Sequence, residues 1–167
     1  LSRLRFPAPA TVETWVCDAA GDPVLVVMAQ PGASLAMELR ALLPQLRHAV
    51  GDERRVLVGF DRGGWSPALF AHMHANGFDV LTWRKHPAPG LPVAAFTDVT
   101  YTDSHGLEHS WNLADTRVEL PLSGAEGATF GIRQITRRDP RTGKQAHVLT
   151  TRTDLPAAEV MYRMGSR

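Results

Sequence analysis

The 167-residue chain has one cysteine, no apolar run of membrane-spanning length and a formal charge of only +1. A single Cys17 rules out a disulfide framework within the chain and a multi-cysteine zinc site. With Asp18 beside it and no basic neighbour in sequence, that thiol reads as a small buried hydrophobe. No stretch is long and apolar enough for a transmembrane helix, and no signal-peptide core is visible, so no membrane partner is expected and a cytoplasmic location is the default. Near-zero charge argues against a generic polyanion binder. Arg62-Gly63-Gly64 precedes a helix and so offers a cradle for a small phosphate, but it lacks the Lys-Ser/Thr pair of a P-loop. Internal repeats and low-complexity tracts are also missing.

What remains is enough chain for one domain with a real core. Twelve prolines and 14 glycines imply short elements and many turns. Leu1 rather than Met opens the sequence and Arg167 closes it inside an expected helix, so the chain reads as cut at both ends. Charge is unevenly spread: residues 1–131 carry 10 Lys and Arg against 14 Asp and Glu (−4), whereas residues 132–167 carry 8 against 3 (+5). A basic segment beside an acidic body fits either local contact with phosphate or a solvated basic hairpin.

Val56 to Phe60 is a continuous apolar run too short for a helix, and it predicts a central strand buried on both faces. Ser66 supplies an N-cap and Pro67 a first helical residue, so a helix follows at once. Asp61 is thereby expected at the carboxyl end of the strand, where α/β sheets bind ligands. It is either an active-site carboxylate or ordinary turn chemistry.

Upstream, Thr11 to Val16 and Val24 to Met28 predict a hairpin around the Asp18–Pro23 turn, and Pro31-Gly32 ends it. Ser34 caps a helix through Leu35, Leu39, Leu42, Leu43, Leu46 and Val50, which Pro44 should kink and Gly51 should stop. Downstream come a helix from Pro67 to Asn76, a strand from Asp79 to Trp83 and a proline-rich loop at 87–92. A β-rich insertion spans about 93–146, with short runs at Phe96–Thr102, Ser110–Leu113, Thr116–Leu120 and Thr129–Thr136. His147–Thr151 adds a strand, and Asp154-Leu155-Pro156 opens the last helix.

Other conspicuous residues have plainer explanations. Asp18 and Asp22 sit in a hairpin turn, where Asp is ordinary. His72 and His74 are two apart on a helix and cannot chelate one ion. His105 and His109 flank a turn without further zinc ligands. Trp65, Trp83 and Trp111 are suited to base stacking but fit core packing better.

Val58-Gly-Phe-Asp-Arg-Gly-Gly-Trp-Ser-Pro67 and Gly77-Phe-Asp-Val-Leu-Thr-Trp-Arg-Lys85 resemble DDE transposases of bacterial insertion sequences. The similarity resumes at His147-Val-Leu-Thr-Thr-Arg-Thr-Asp-Leu155 and runs through Glu159-Val-Met-Tyr-Arg-Met-Gly-Ser-Arg167. The resemblance implies an α/β, RNase H-like mixed sheet with flanking helices and the β-rich insertion, incomplete at both ends. It implies two divalent metals, Mg2+ or Mn2+, held by two Asp and one Glu, with Asp61 as the second Asp. The first Asp would lie upstream of Leu1 and the Glu a few residues past Arg167. On that basis Asp61 is expected near the start of the final helix and on its rim. Tyr162 and Arg167 resemble the family's Tyr and Arg that precede the Glu and contact DNA phosphate, though their spacing is longer than in the best-known members, and Arg163 is a further candidate DNA contact.

Two-metal phosphodiester chemistry needs hard cations about 4 Å apart, one activating the nucleophile and one stabilising the leaving oxygen. Gly63-Gly64 would let substrate backbone approach, and Arg62, Arg84 and Lys85 would hold DNA phosphates near the same sheet edge. With one of three carboxylates, the chain is expected to bind metal weakly or not at all and to be inactive alone. Its expected partners are DNA at transposon ends and, in the intact protein, a second copy. The alternatives are a non-catalytic remnant that at most binds DNA, or an unrelated α/β module with a small phosphate ligand at Asp61.

Overall fold

The computed structural model describes residues 12–29, 32–124 and 126–165, and it is a mixed α/β fold. Thr11, Pro31 and Arg167, to which the sequence assigns roles, lie outside the described residues. No described helix is long and apolar enough to cross a membrane.

Strands β1 (Val12–Cys17) and β2 (Pro23–Ala29) pair antiparallel. The Asp18 carboxylate accepts from the Ala20 and Asp22 amides and so fixes their turn. Among the described residues this hairpin is a two-stranded sheet of its own, not part of the main sheet as the RNase H-like layout implies. Its small size also leaves Cys17 exposed rather than buried.

Helix α1 (Leu35–Val50) starts where the Ser34 hydroxyl accepts from the Met37 amide. It continues without a break across exposed Pro44 and stops at Gly51, whose φ of +81° suits glycine. Next come β3 (Val56–Phe60), a 3-10 turn (Arg62–Gly64), α2 (Pro67–Ala75) capped by Ser66, and β4 (Phe78–Trp83). Strands β5 (Thr97–Thr102), β6 (Glu108–Pro121), β7 (Thr129–Arg138) and β8 (Gln145–Thr150) precede α3 (Ala157–Gly165).

The main sheet has the order β3-β4-β8-β7-β6-β5. β3 and β4 are parallel, joined through α2, and every other neighbouring pair is antiparallel. The β-rich insertion therefore extends the sheet rather than covering it. Two expectations fail here. Among the described residues β3 is an edge strand, half-buried at Val56–Gly59, not a central one. The two runs at 110–113 and 116–120 are one 14-residue strand, because buried Ala114 and Asp115, paired with Arg133 on β7, fit the sheet without a turn.

Helices cover both faces. On one, Leu39, Leu43, Leu69, Phe70 and Met73 of α1 and α2 meet Phe60, Phe78, Val80, Ile132 and Leu149. On the other, Val160, Met161 and Met164 of α3 meet Leu81, Leu113, Ile135 and Val148. Trp65 packs on the first cluster and Trp83 and Trp111 on the second, so these three tryptophans serve the core.

A polar clamp ties α3 to the β5–β6 hairpin. The Asp103 carboxylate accepts from the His105 and Leu107 amides and meets His109 Nε2 at 2.9 Å, and the Tyr162 hydroxyl donates to it at 3.4 Å. His109 stacks on Trp111 with ring centroids 5.7 Å apart. The His109 hydrogen bond, aided by the backbone amides, holds the Asp103 carboxyl down at about 2. A depressed carboxyl pKa stabilises the fold above the ordinary value of about 3.9 and is lost as pH falls through the folded value. Acid titration followed by Trp111 fluorescence is therefore expected to show this contact loosening between about pH 4 and about pH 2. Asp103→Asn should abolish that transition.

Candidate functional site

Strand direction sets the site. Parallel β3 and β4 bring their carboxyl ends, and with them Asp61, Arg84 and Lys85, to one rim. Antiparallel β8 starts at that rim and β7 ends there, adding Arg137, Arg138 and the turn to Lys144. Helix α2 starts there, directly after the 3-10 turn, and Leu35 at the start of α1 lies against Gly63. Two helix amino termini thus add positive potential to the rim.

Asp61 is exposed, and its Oδ1 accepts from the Gly63 amide at 2.7 Å. The Thr82 hydroxyl, on buried β4, donates to the Asp61 carbonyl at 3.2 Å and fixes the strand end. Turn chemistry is therefore realised at this residue, with Oδ2 left uncommitted among the described residues. The rest of the turn is closed on itself: the Gly64 amide bonds the Asp61 carbonyl and the Trp65 amide the Arg62 carbonyl. With the Gly63 and Gly64 amides spent, the two glycines of Arg62-Gly63-Gly64 offer no free donors to cradle a phosphate. Nor does Gly64 admit substrate. It is buried, and a Cβ there would lie 2.5 Å from the Phe60 ring and 2.9 Å from Leu39.

The resemblance asks for two metals at this rim. Among the described residues no three His, Cys, Asp or Glu side chains are grouped to hold an ion. Of the other carboxylates toward this rim, Asp139 is spent on the Arg141 and Thr142 amides and the Thr142 hydroxyl, Asp103 on its own turn and His109, and Glu38 in the first turn of α1 accepts from the Thr14 hydroxyl. One carboxylate oxygen does not make a two-metal site, so the described residues do not fit that cofactor set.

The expected phosphate contacts divide sharply. Arg62 and Lys85 are exposed, with no carboxylate partner among the described residues. Arg84 turns inward, donating to Gln134 Oε1 at 2.5 Å, and burial pulls its guanidinium pKa down. Arg163 pairs with Glu159 one helical turn earlier, and Tyr162 belongs to the Asp103 clamp. Arg167 is outside the described residues.

Helix α3 starts after β8 has run to the opposite rim, so the expectation that Asp61 lies near its start is not met. The cause is the antiparallel pairing of β8 with β4. The helix then runs back across the sheet, and Tyr162 reaches the β5–β6 hairpin that projects past the Asp61 rim.

No protein-family model and no curated protein matches the chain.

Two polar networks escaped the sequence. At the opposite rim Asp79, 2% exposed, accepts two bonds from Arg55 and one from the Thr151 hydroxyl, with His74 Nδ1 3.6 Å away. Burial alone would raise this carboxyl; the Arg55 and Thr151 hydrogen bonds and the Arg55 charge outweigh it and hold it low. His74 thus serves Asp79 while His72 faces Asn76, as their spacing of two requires. Beneath the Asp61 rim, Arg84 donates to Gln134, Gln134 to the Thr136 hydroxyl, and Thr136 meets His147 Nδ1 at 2.9 Å. Burial, followed by the charges of Arg84 and His86, keeps His147 below its ordinary pKa. Alternation along β7 and β8 signals these inward polar positions, but nothing in it separates them from solvent-facing ones.

Gly64→Ala should destabilise the fold by about 1–3 kcal/mol through overpacking against Phe60. Urea denaturation measures this; an unchanged midpoint would restore an open, substrate-facing Gly64.

Proposed function

We propose that this chain is an internal slice of a DDE transposase catalytic core, RNase H-like in layout, contributing Asp61 as one of three metal carboxylates. One observation carries the proposal. Val56-Leu57-Val58-Gly59-Phe60 has the composition of an interior strand, yet β3 is the edge of the sheet. Natural edges are guarded by charge, proline or a bulge, and this one has none of them within the strand. An apolar edge beside Asp61 that is unpaired among the described residues is where the resemblance puts the missing Asp-bearing strand, and it counts against a self-sufficient binding module. The cationic rim supports the same layout, whereas the start of α3 on the opposite rim counts against it.

In this reading Mg2+ or Mn2+, transposon-end DNA and a second copy of the chain belong to the intact protein. Asp61 positions nothing reactive by itself, because a lone exposed carboxylate neither pairs two cations nor holds one tightly. A second reading, a non-catalytic remnant that only binds DNA, is favoured by the Asp61 Oδ1 bond to Gly63, which serves the turn.

Plasmid relaxation separates these from an active enzyme. The 167-residue chain is expected to leave supercoiled DNA intact with Mg2+ or Mn2+. Metal-dependent nicking that Asp61→Asn abolishes would overturn the claim that the slice is inactive alone.

A further inference from the structure

We infer that the end of the β7–β8 hairpin, Arg137, Arg138 and Lys144 with Lys85 alongside, is a docking surface for the sugar-phosphate backbone of duplex DNA. This rests on the transposase reading for its partner but on separate observations for its place.

Ion pairing alone does not single out this edge, since Arg40, Arg47 and Arg54 also meet no carboxylate among the described residues, but four unpaired cations fall within the eight residues 137–144. Arg55, Arg117, Arg133, Arg152 and Arg163 each meet a carboxylate, and none of them belongs to the β7–β8 turn. Lys85, Arg137, Arg138, Arg141 and Lys144 meet none among the described residues, and all lie on this rim. The one acid inside the hairpin, Asp139, is turned into its own loop by three hydrogen bonds, two from amides and one from the Thr142 hydroxyl. Four cations against one acid leave the segment 137–144 at +3.

Register sets their spacing. Arg137 is the cross-strand partner of Ala146, and the Arg84 amide bonds the His147 carbonyl, so Lys85 stands level with Ala146 on its other side. Lys85 and Arg137 are thus two strands apart, about 10 Å, with only a methyl group between them. The turn beyond is rigid: the Asp139 amide bonds the Lys144 carbonyl, the Gly143 amide bonds the Asp139 carbonyl, and Gly143 has a φ of +69°.

The chemistry selects the partner. Spaced, solvated cations on a fixed edge suit backbone phosphates. Trp83 and Trp111, the nearby aromatics, are packed in the core, so the edge lacks the exposed rings on which single strands stack.

The test is fluorescence anisotropy of the chain with a labelled duplex between 50 and 200 mM salt. Arg137→Glu/Arg138→Glu is compared with Arg40→Glu/Arg54→Glu, an equal charge change on exposed residues elsewhere. Arg137→Gln/Arg138→Gln is the milder pair. The wild type should bind with a steep salt dependence. Both hairpin variants should bind more weakly, the glutamate pair by tenfold or more, with a salt slope shallower by about 2. The Arg40/Arg54 variant should stay within about twofold. Equal losses in both glutamate variants, no binding by the wild type, or tighter binding to single strands or anionic vesicles would each overturn the inference. Duplex binding that survives the hairpin changes removes this surface while leaving the transposase reading, which plasmid nicking tests separately.

Discussion

Everything on the candidate rim depends on β4 pairing in two directions at once. Its residues Phe78 to Thr82 are buried, so its place in the sheet is fixed by packing on both faces. On one side it runs parallel to β3 and on the other antiparallel to β8. That change of direction brings the ends of β3 and β4 to the same rim as the β7–β8 turn. It also sends the start of α3 to the opposite rim. A one-residue slip of β4 would exchange its two faces, putting Asp79 and Leu81 where Val80 and Thr82 now pack. The Asp79 pair with Arg55 and Thr151 opposes such a slip, since a buried carboxylate without partners is costly.

The two rims use charge differently. At the Asp79 rim, cations and acids are matched, and buried hydrogen bonds hold β3, α2, β4 and the segment after β8 together. At the Asp61 rim, one arginine is drawn inward to Gln134 and the rest stay in solvent without counter-ions. Self-repulsion among unpaired cations costs stability and is relieved by an anionic partner. Arg84 sits at the boundary: its amide bonds the His147 carbonyl, while its guanidinium satisfies a buried amide rather than a phosphate.

Much of the local structure was legible because local chemistry decides it. Ser34, Ser66 and Gly51 mark helix ends by satisfying orphan backbone groups, and the structure uses each of them in that way. The position of Asp61 at a strand end followed from the apolar run and the cap after it. What was not legible is long-range. Nothing in Val56–Phe60 says that its outer edge lacks a partner, and the interior composition pointed the other way. The Ala114-Asp115 interruption read as a turn because Arg133, its partner, is 18 residues away. Tyr162 and Arg84 read as free phosphate contacts because the groups that occupy them, Asp103 and Gln134, are visible only in the fold, whereas Glu159, four residues before Arg163 on the same helix, was legible as its partner. The basic bias after residue 131 was legible as a number, but strand register was needed to gather it on one edge.

The central claim is that the Asp61 rim, and no other surface, faces the sugar-phosphate backbone of DNA. Amide-resolved NMR titration with a short duplex tests it most directly. The account predicts that the largest shifts fall at Arg62–Gly64, Trp83–His86 and Arg137–Gln145. Shifts centred instead on Arg55 and Thr151–Asp154, or on the β1–β2 hairpin, would contradict it.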